Sequence, residues 1–175
     1  MGRISSPSET FSVGVAYVTE LIARLTSSLV DCFTNVNKTL DSSSITFPLN
    51  RTLYVDFSHD NTMAAIVSAM GIHRPQKHLP TKKQLQHSEW LFSRIAPFAG
   101  RLAVEKYTCG MMTGSGLDEW VRVLGDDAVV NLSDCQEPMP GGFCSLQSFI
   151  QHQLKYVRSR QAINDWNGCF GLEIT

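Results

Sequence analysis

The chain has 175 residues, and its 15 Lys plus Arg against 16 Asp plus Glu give a formal net charge of −1. That length allows one domain with a fair core, and the charge balance, with no basic run interleaved with aromatics, excludes a strong electrostatic pull toward nucleic acid or a membrane surface. The apolar stretches are far too short for a bilayer span, and the polar start Met1-Gly2-Arg3-Ile4-Ser5-Ser6 does not read as a signal peptide.

Residues 1–12 are Ser-rich and are expected to be disordered or poorly packed. From there Val15, Val18, Leu21, Ile22 and Leu25 recur at helical spacing and predict an amphipathic helix over 14–29. Residues 31–48, with Asn, Thr and Ser throughout, read as a loop. Leu53-Tyr54-Val55-Asp56-Phe57 reads as a strand, and a helical pattern over 61–70 follows at once, stopped by Gly71. The stretch 71–97 is irregular, with Trp90 and Phe92 expected to bury part of it. Residues 101–109 alternate as a strand, with Leu102, Val104 and Lys106 facing one way and Ala103, Glu105 and Tyr107 the other. A second strand over 120–125 turns at Asp126-Asp127 and returns through 128–132, a hairpin signal. Ser145 opens a final helix carrying Leu146, Phe149, Ile150, Gln153, Leu154 and Val157, and the tail ends near Trp166 and Phe170.

The most informative point is the junction between the strand and the helix that follows it. A short apolar run ends in two ionisable residues, His59 and Asp60, and a helix begins immediately. Strand, polar corner, helix is the arrangement that places side chains at the carboxyl end of an open sheet, where ligands bind. The free N–H groups of a new helix favour an anion such as phosphate. An imidazole beside a carboxyl group suits phosphate-ester cleavage: protonated His59 binds a phosphate oxygen, and Asp60 gives a proton to the departing alcohol. The plain alternative is that Asp60 caps the helix.

Ser58-His59-Asp60-Asn61 after Leu53-Tyr54-Val55-Asp56-Phe57 resembles the distal motif of the histidine acid phosphatases, particularly the fungal phytases. The resemblance extends upstream through 14–26, Thr39-Leu40-Asp41 and Thr46-Phe47-Pro48-Leu49-Asn50, and downstream through Pro97-Phe98-Ala99-Gly100-Arg101-Leu102, Val121-Arg122-Val123-Leu124, Asp165-Trp166 and Cys169-Phe170. It covers about residues 13–170, in the order of the C-terminal part of those enzymes. The fold it implies is α/β: part of the large domain of the histidine acid phosphatase (phosphoglycerate mutase-like) fold, a mixed sheet flanked by helices. The reaction it implies is phosphomonoester hydrolysis, with inositol phosphates such as phytate as the substrate class, through a phosphohistidine intermediate. In that scheme Asp60 is the proton donor, His59 binds phosphate and Asn61 lies near the substrate; the plain reading of Asn61 is a helix-start residue. No metal or other cofactor is implied.

The family's nucleophile lies in a motif of the form Arg-His-Gly-x-Arg-x-Pro, which does not occur in these 175 residues; His73-Arg74-Pro75 is the nearest string, and its order is wrong. The chain is therefore expected to be a C-terminal portion that is inactive alone, its partner being the N-terminal part of the same enzyme. The alternative is a non-catalytic phosphate-binding or interaction protein derived from the family. An incomplete sheet would expose an edge and an apolar face, which implies marginal stability or aggregation.

Asn37-Lys38-Thr39, Asn50-Arg51-Thr52 and Asn131-Leu132-Ser133 are glycosylation sequons, and the resemblance implies secreted glycoproteins. Of five cysteines, Cys135 and Cys144 match a local disulfide of the family. Cys109 and Cys169 match family cysteines whose partners lie outside this chain, and Cys32 has no evident counterpart. A zinc site is disfavoured: there is no Cys-x-x-Cys, and His73, His78 and His87 sit in a polar, lysine-bearing segment. Arg101, Glu105, Asp118 and Glu119 read as surface or ion-paired groups. Asp56, inside an apolar run, needs a donor partner if buried, and would support the site from behind.

Overall fold

The computed structural model describes residues 7–31, 37–73, 90–110, 117–132, 135 and 138–170. Helix α1, Pro7–Thr26, starts well before the expected Gly14. Proline suits a first helical turn, where its missing N–H has no helical acceptor to lose. The predicted stripe is the buried one: Val15, Val18, Leu21, Ile22 and Leu25 all lie in the core. The helix stops three residues short of the expected end, because Ser27 takes a left-handed φ of 52° and the Thr26 hydroxyl turns back to donate to the Ile22 carbonyl at 2.8 Å. A short helix α2, Lys38–Asp41, interrupts the expected loop, with the Asn37 side chain accepting from the Leu40 N–H.

Helix α3, Asp60–Ala69, packs Ala64, Ala65, Ile66, Val67 and Ala69 into the core. Its crossing with α1 is close enough that a Cβ built on Gly14 would lie 2.1 Å from the Ala65 carbonyl oxygen. The end of α3 is a double-bonded glycine cap: Ile72 N–H donates to the Val67 carbonyl at 3.1 Å and Gly71 N–H to that of Ser68 at 3.0 Å, with Gly71 at φ 73°. The Gln153 side-chain amide, fully buried, donates to the Met70 carbonyl at 3.2 Å and so ties this end to a later helix. One turn, α4 (Phe92–Ile95), follows. Trp90 packs against the core, whereas Phe92 remains exposed; residues 74–89, including His78 and His87, lie outside the described residues.

The sheet consists of β1 (Leu102–Gly110), β2 (Leu117–Gly125), β3 (Ala128–Val129) and β4 (Cys144–Ser145). Strand β2 pairs antiparallel with each of the others. Asp126 and Asp127 have φ of 50° and 65°, the positive pair that lets a two-residue turn follow the natural twist of a hairpin. The returning strand is shorter than the expected 128–132, but Val130 N–H still reaches the Val123 carbonyl at 2.9 Å. Val121 and Val123 are fully buried, with Leu102 and Val104 beside them. On the opposite face Glu105, Tyr107 and Arg122 form one hydrogen-bonded cluster.

Helix α5, Leu146–Val157, begins at Ser145 as expected, its hydroxyl accepting from the Ser148 N–H. The expected tail is instead helix α6, Arg160–Phe170, which buries Ala162 and Trp166 four residues apart. Cys135 and Cys144 are disulfide-bonded, Cα to Cα 5.7 Å. The fold class is α/β, helices packed on a sheet whose pairings among the described residues are all antiparallel. Among these residues no helix is long and apolar enough to cross a membrane.

One expected element is corrected: residues 53–57 form no strand. Leu53, Val55 and Phe57 are 74%, 62% and 97% exposed. A ladder needs a neighbouring chain to accept its N–H groups, and no described strand pairs with this segment.

Candidate functional site

His59 and Asp60 stand at the entry to α3, as the helical pattern predicts, but with no strand at 53–57 the corner does not sit at the carboxyl end of a described strand. His59 is the N-cap residue, with extended backbone (φ −117°, ψ 165°) and no capping bond from its ring. Its carbonyl accepts the first helical bond, from Met63 N–H at 2.9 Å. Asp60 is the first helical residue rather than the cap, and its carboxylate accepts the Asn61 N–H at 2.8 Å. The side chains of His59, Asp60 and Asn61 are all exposed. The corner therefore presents an imidazole, a carboxyl group and a carboxamide to solvent at the positive end of a ten-residue helix. This arrangement can meet an anionic ligand from one side.

Asp56, three residues upstream, is exposed rather than buried in a strand, yet it is paired. Arg24 of α1 binds it through both terminal nitrogens, Nη1 to Oδ2 at 2.5 Å and Nη2 to Oδ1 at 3.4 Å. The Tyr17 hydroxyl sits 3.5 Å from the same carboxylate, and burial, with the Asp56 charge beside it, pushes the Tyr17 phenol above its ordinary range. Phe47 and Tyr54 each place a ring 5.2 Å from the Arg24 guanidinium carbon. Sequence reasoning missed this cluster. The available signal was the polar stripe Tyr17, Glu20, Arg24 at i, i+3 and i+7 on the face of α1 beside its apolar one.

The remaining expected residues lie elsewhere. Arg101 is a surface group paired with the Asp127 carboxylate, while its backbone N–H donates to Asp126 Oδ1 at 2.8 Å. Glu105 accepts from Arg122 at 2.7 Å, and that bond holds its carboxyl below the usual range. Glu119 pairs with Lys106 at 2.6 Å. Asn37, Asn50 and Asn131 are exposed. Cys109 is an exposed free thiol on β1; Cys32 and the side chains of Asp165, Cys169 and Phe170 lie outside the described residues. Among the described residues no three His, Cys, Asp or Glu side chains are grouped to hold a metal ion.

Helices pack on an antiparallel sheet in an α/β domain, and the chain belongs to the histidine phosphatase superfamily (branch 2), whose family model matches residues 4–125. Its curated relatives carry the name Phytase A. The protein from Arthroderma benhamiae is 43% identical over 159 residues, covering 89% of this chain and 34% of that protein. The one from Aspergillus awamori is 42% identical over 160 residues, covering 89% and 32% respectively, and the one from Aspergillus oryzae 38% over 161 residues, covering 90% and 32%. The chain thus spans about a third of the length of the curated relatives it matches.

Proposed function

We propose that this chain carries the leaving-group side of a phosphomonoesterase site. His59 binds a phosphate oxygen, Asp60 protonates the departing alcohol and Asn61 contacts the substrate; phytate is the substrate class that the relatives' name suggests. The attacking histidine of the Arg-His-Gly-x-Arg-x-Pro type, absent from these 175 residues, belongs to the rest of the enzyme and forms the phosphohistidine that water later hydrolyses. The observation that carries this reading is the joint exposure of His59, Asp60 and Asn61 at the start of α3. Secretion and glycosylation at the exposed Asn37, Asn50 and Asn131 accompany it.

The test is an assay of the purified chain with a chromogenic aryl phosphate at acidic pH. No turnover is expected from a site without its nucleophile. Turnover that Asp60→Asn abolishes would show that the attacking group resides in this chain. The missing nucleophile motif also suits a second reading, a phosphate-binding protein without catalysis. Calorimetric binding of phytate, lost on His59→Ala and unaccompanied by turnover when the chain is mixed with the N-terminal part of a relative, would favour it.

A further inference from the structure

We infer that Arg24 is a positioning residue for the His59–Asp60 corner, an inference that rests on the phosphatase reading of that corner. Residues 53–57 lack the strand ladder expected to hold them. Something else must fix the chain that leads into α3 if the corner is to keep one geometry. The Arg24 guanidinium sits in a clasp made by that chain: Asp56 takes both terminal nitrogens, and Phe47 and Tyr54 place rings 5.2 Å away. Its side chain is only 15% exposed. A planar fork facing two aromatic rings, bound through two nitrogens to a carboxylate, is more restrictive than a surface ion pair.

Helix α1 also holds the other side of the corner. Gly14 brings the α1 backbone against Ala65, in the second turn of α3. Residues 56 and 65 are therefore both attached to α1, at Arg24 and at Gly14. Those two α1 positions are roughly 15 Å apart along the helix axis. His59 and Asp60 lie on the stretch suspended between the two attachments. Asp56 is only three residues from His59, so the clasp acts within roughly 10 Å of the imidazole along the chain. Among the described residues, the charged and titratable groups around Arg24 include Asp56, Glu20 at 3.9 Å, the Tyr17 hydroxyl and Tyr54. Loss of the guanidinium leaves Glu20 and Asp56 facing each other as like charges.

The test uses the 175-residue chain and four variants, with thermal unfolding followed to show that each is folded. Backbone 15N order parameters over 54–59 are expected in the rigid range, about 0.85, for the parent and below about 0.6 for Arg24→Ala and Asp56→Ala. The double exchange Arg24→Asp with Asp56→Arg should restore order. Arg24→Lys, which keeps the charge but not the fork, should restore it only in part. The second readout is the His59 imidazole shift on titration with phytate: the apparent Kd should weaken about tenfold in both alanine variants and recover in the exchanged pair, which a loss of general stability would not reproduce. Order parameters unchanged in both alanine variants would overturn the inference. Absence of any phytate-induced shift at His59 in the parent would remove the corner's phosphate role, and the order parameters would still decide the clasp.

Discussion

Gly14→Ala isolates the contact that seats the site helix. The new methyl would meet the Ala65 carbonyl oxygen at 2.1 Å, its carbon at 2.6 Å and the Ala69 Cβ at 2.8 Å. None of these atoms can rotate aside, since all belong to backbone or to a Cβ fixed by it, so α1 and α3 must separate. Two effects oppose each other. Alanine in a helix interior is favoured over glycine by about 1 kcal/mol. Forcing an extra group into a filled contact costs about 1–3 kcal/mol, and distances this far inside van der Waals contact belong at the upper end. The net expectation is a loss of about 2 kcal/mol, which lowers the Tm by roughly 4–8 °C in a domain of this size. Thermal unfolding followed by circular dichroism measures it. Gly168→Ala is the internal control: it lies in α6 with nothing within 4 Å of its added Cβ, so the propensity gain stands unopposed and Tm should hold or rise. A Gly14→Ala protein as stable as its parent would refute the close crossing of α1 and α3.

Two further outcomes follow from the same structure. Burial, then the nearby Asp41 charge, raise the pKa of Glu20 above 4.5 against the pull of Arg24. A raised carboxyl opposes folding while ionised, and that penalty is released as pH falls through the folded-state value toward the unfolded one. Glu20→Gln should therefore raise stability at neutral pH and change little near pH 4, as urea midpoints at the two pH values would show; equal gains at both would contradict the assignment. Reducing Cys135–Cys144, a loop with sequence separation 9, should cost roughly 2–3 kcal/mol on the chain-entropy model. Unfolding curves with and without reductant measure that loss, and coincident curves would mean that the bridge constrains nothing in the unfolded chain.

What the sequence made legible was local. The alternation around Val121 and Val123 and the Asp126-Asp127 turn specify a hairpin through neighbouring residues alone, and the hairpin is there. Ser145 and the stripe from Leu146 to Val157 specify α5 in the same way. Helix α6 was hidden because Arg160-Gln161-Ala162-Ile163-Asn164-Asp165-Trp166 offers few apolar residues, and its burial rests on Ala162 and Trp166 meeting other helices. The helix start at His59 and Asp60 could be read from the sequence, but the strand expected before it could not form without a neighbouring strand. The partner of Asp56 could not, since Arg24 lies 32 residues away in sequence and only packing brings it there.

Leu53, Val55 and Phe57 show where local propensity and tertiary context part. Alternating apolar residues specify the kind of element that a segment can join, but a strand exists only beside another strand. Here the row is exposed, in a chain that spans about a third of its relatives' length. Such a row invites pairing with whatever edge comes near, which makes it an aggregation-prone segment among the described residues. The corner beside it has a different dependence. Its two attachments, Asp56 to Arg24 and Ala65 against Gly14, both run to α1, and α1 is held by its own buried stripe from Val15 to Leu25. In this architecture the sheet need not be complete for His59 and Asp60 to be held at the start of α3, because the helix in front of them does what a strand ladder would otherwise do.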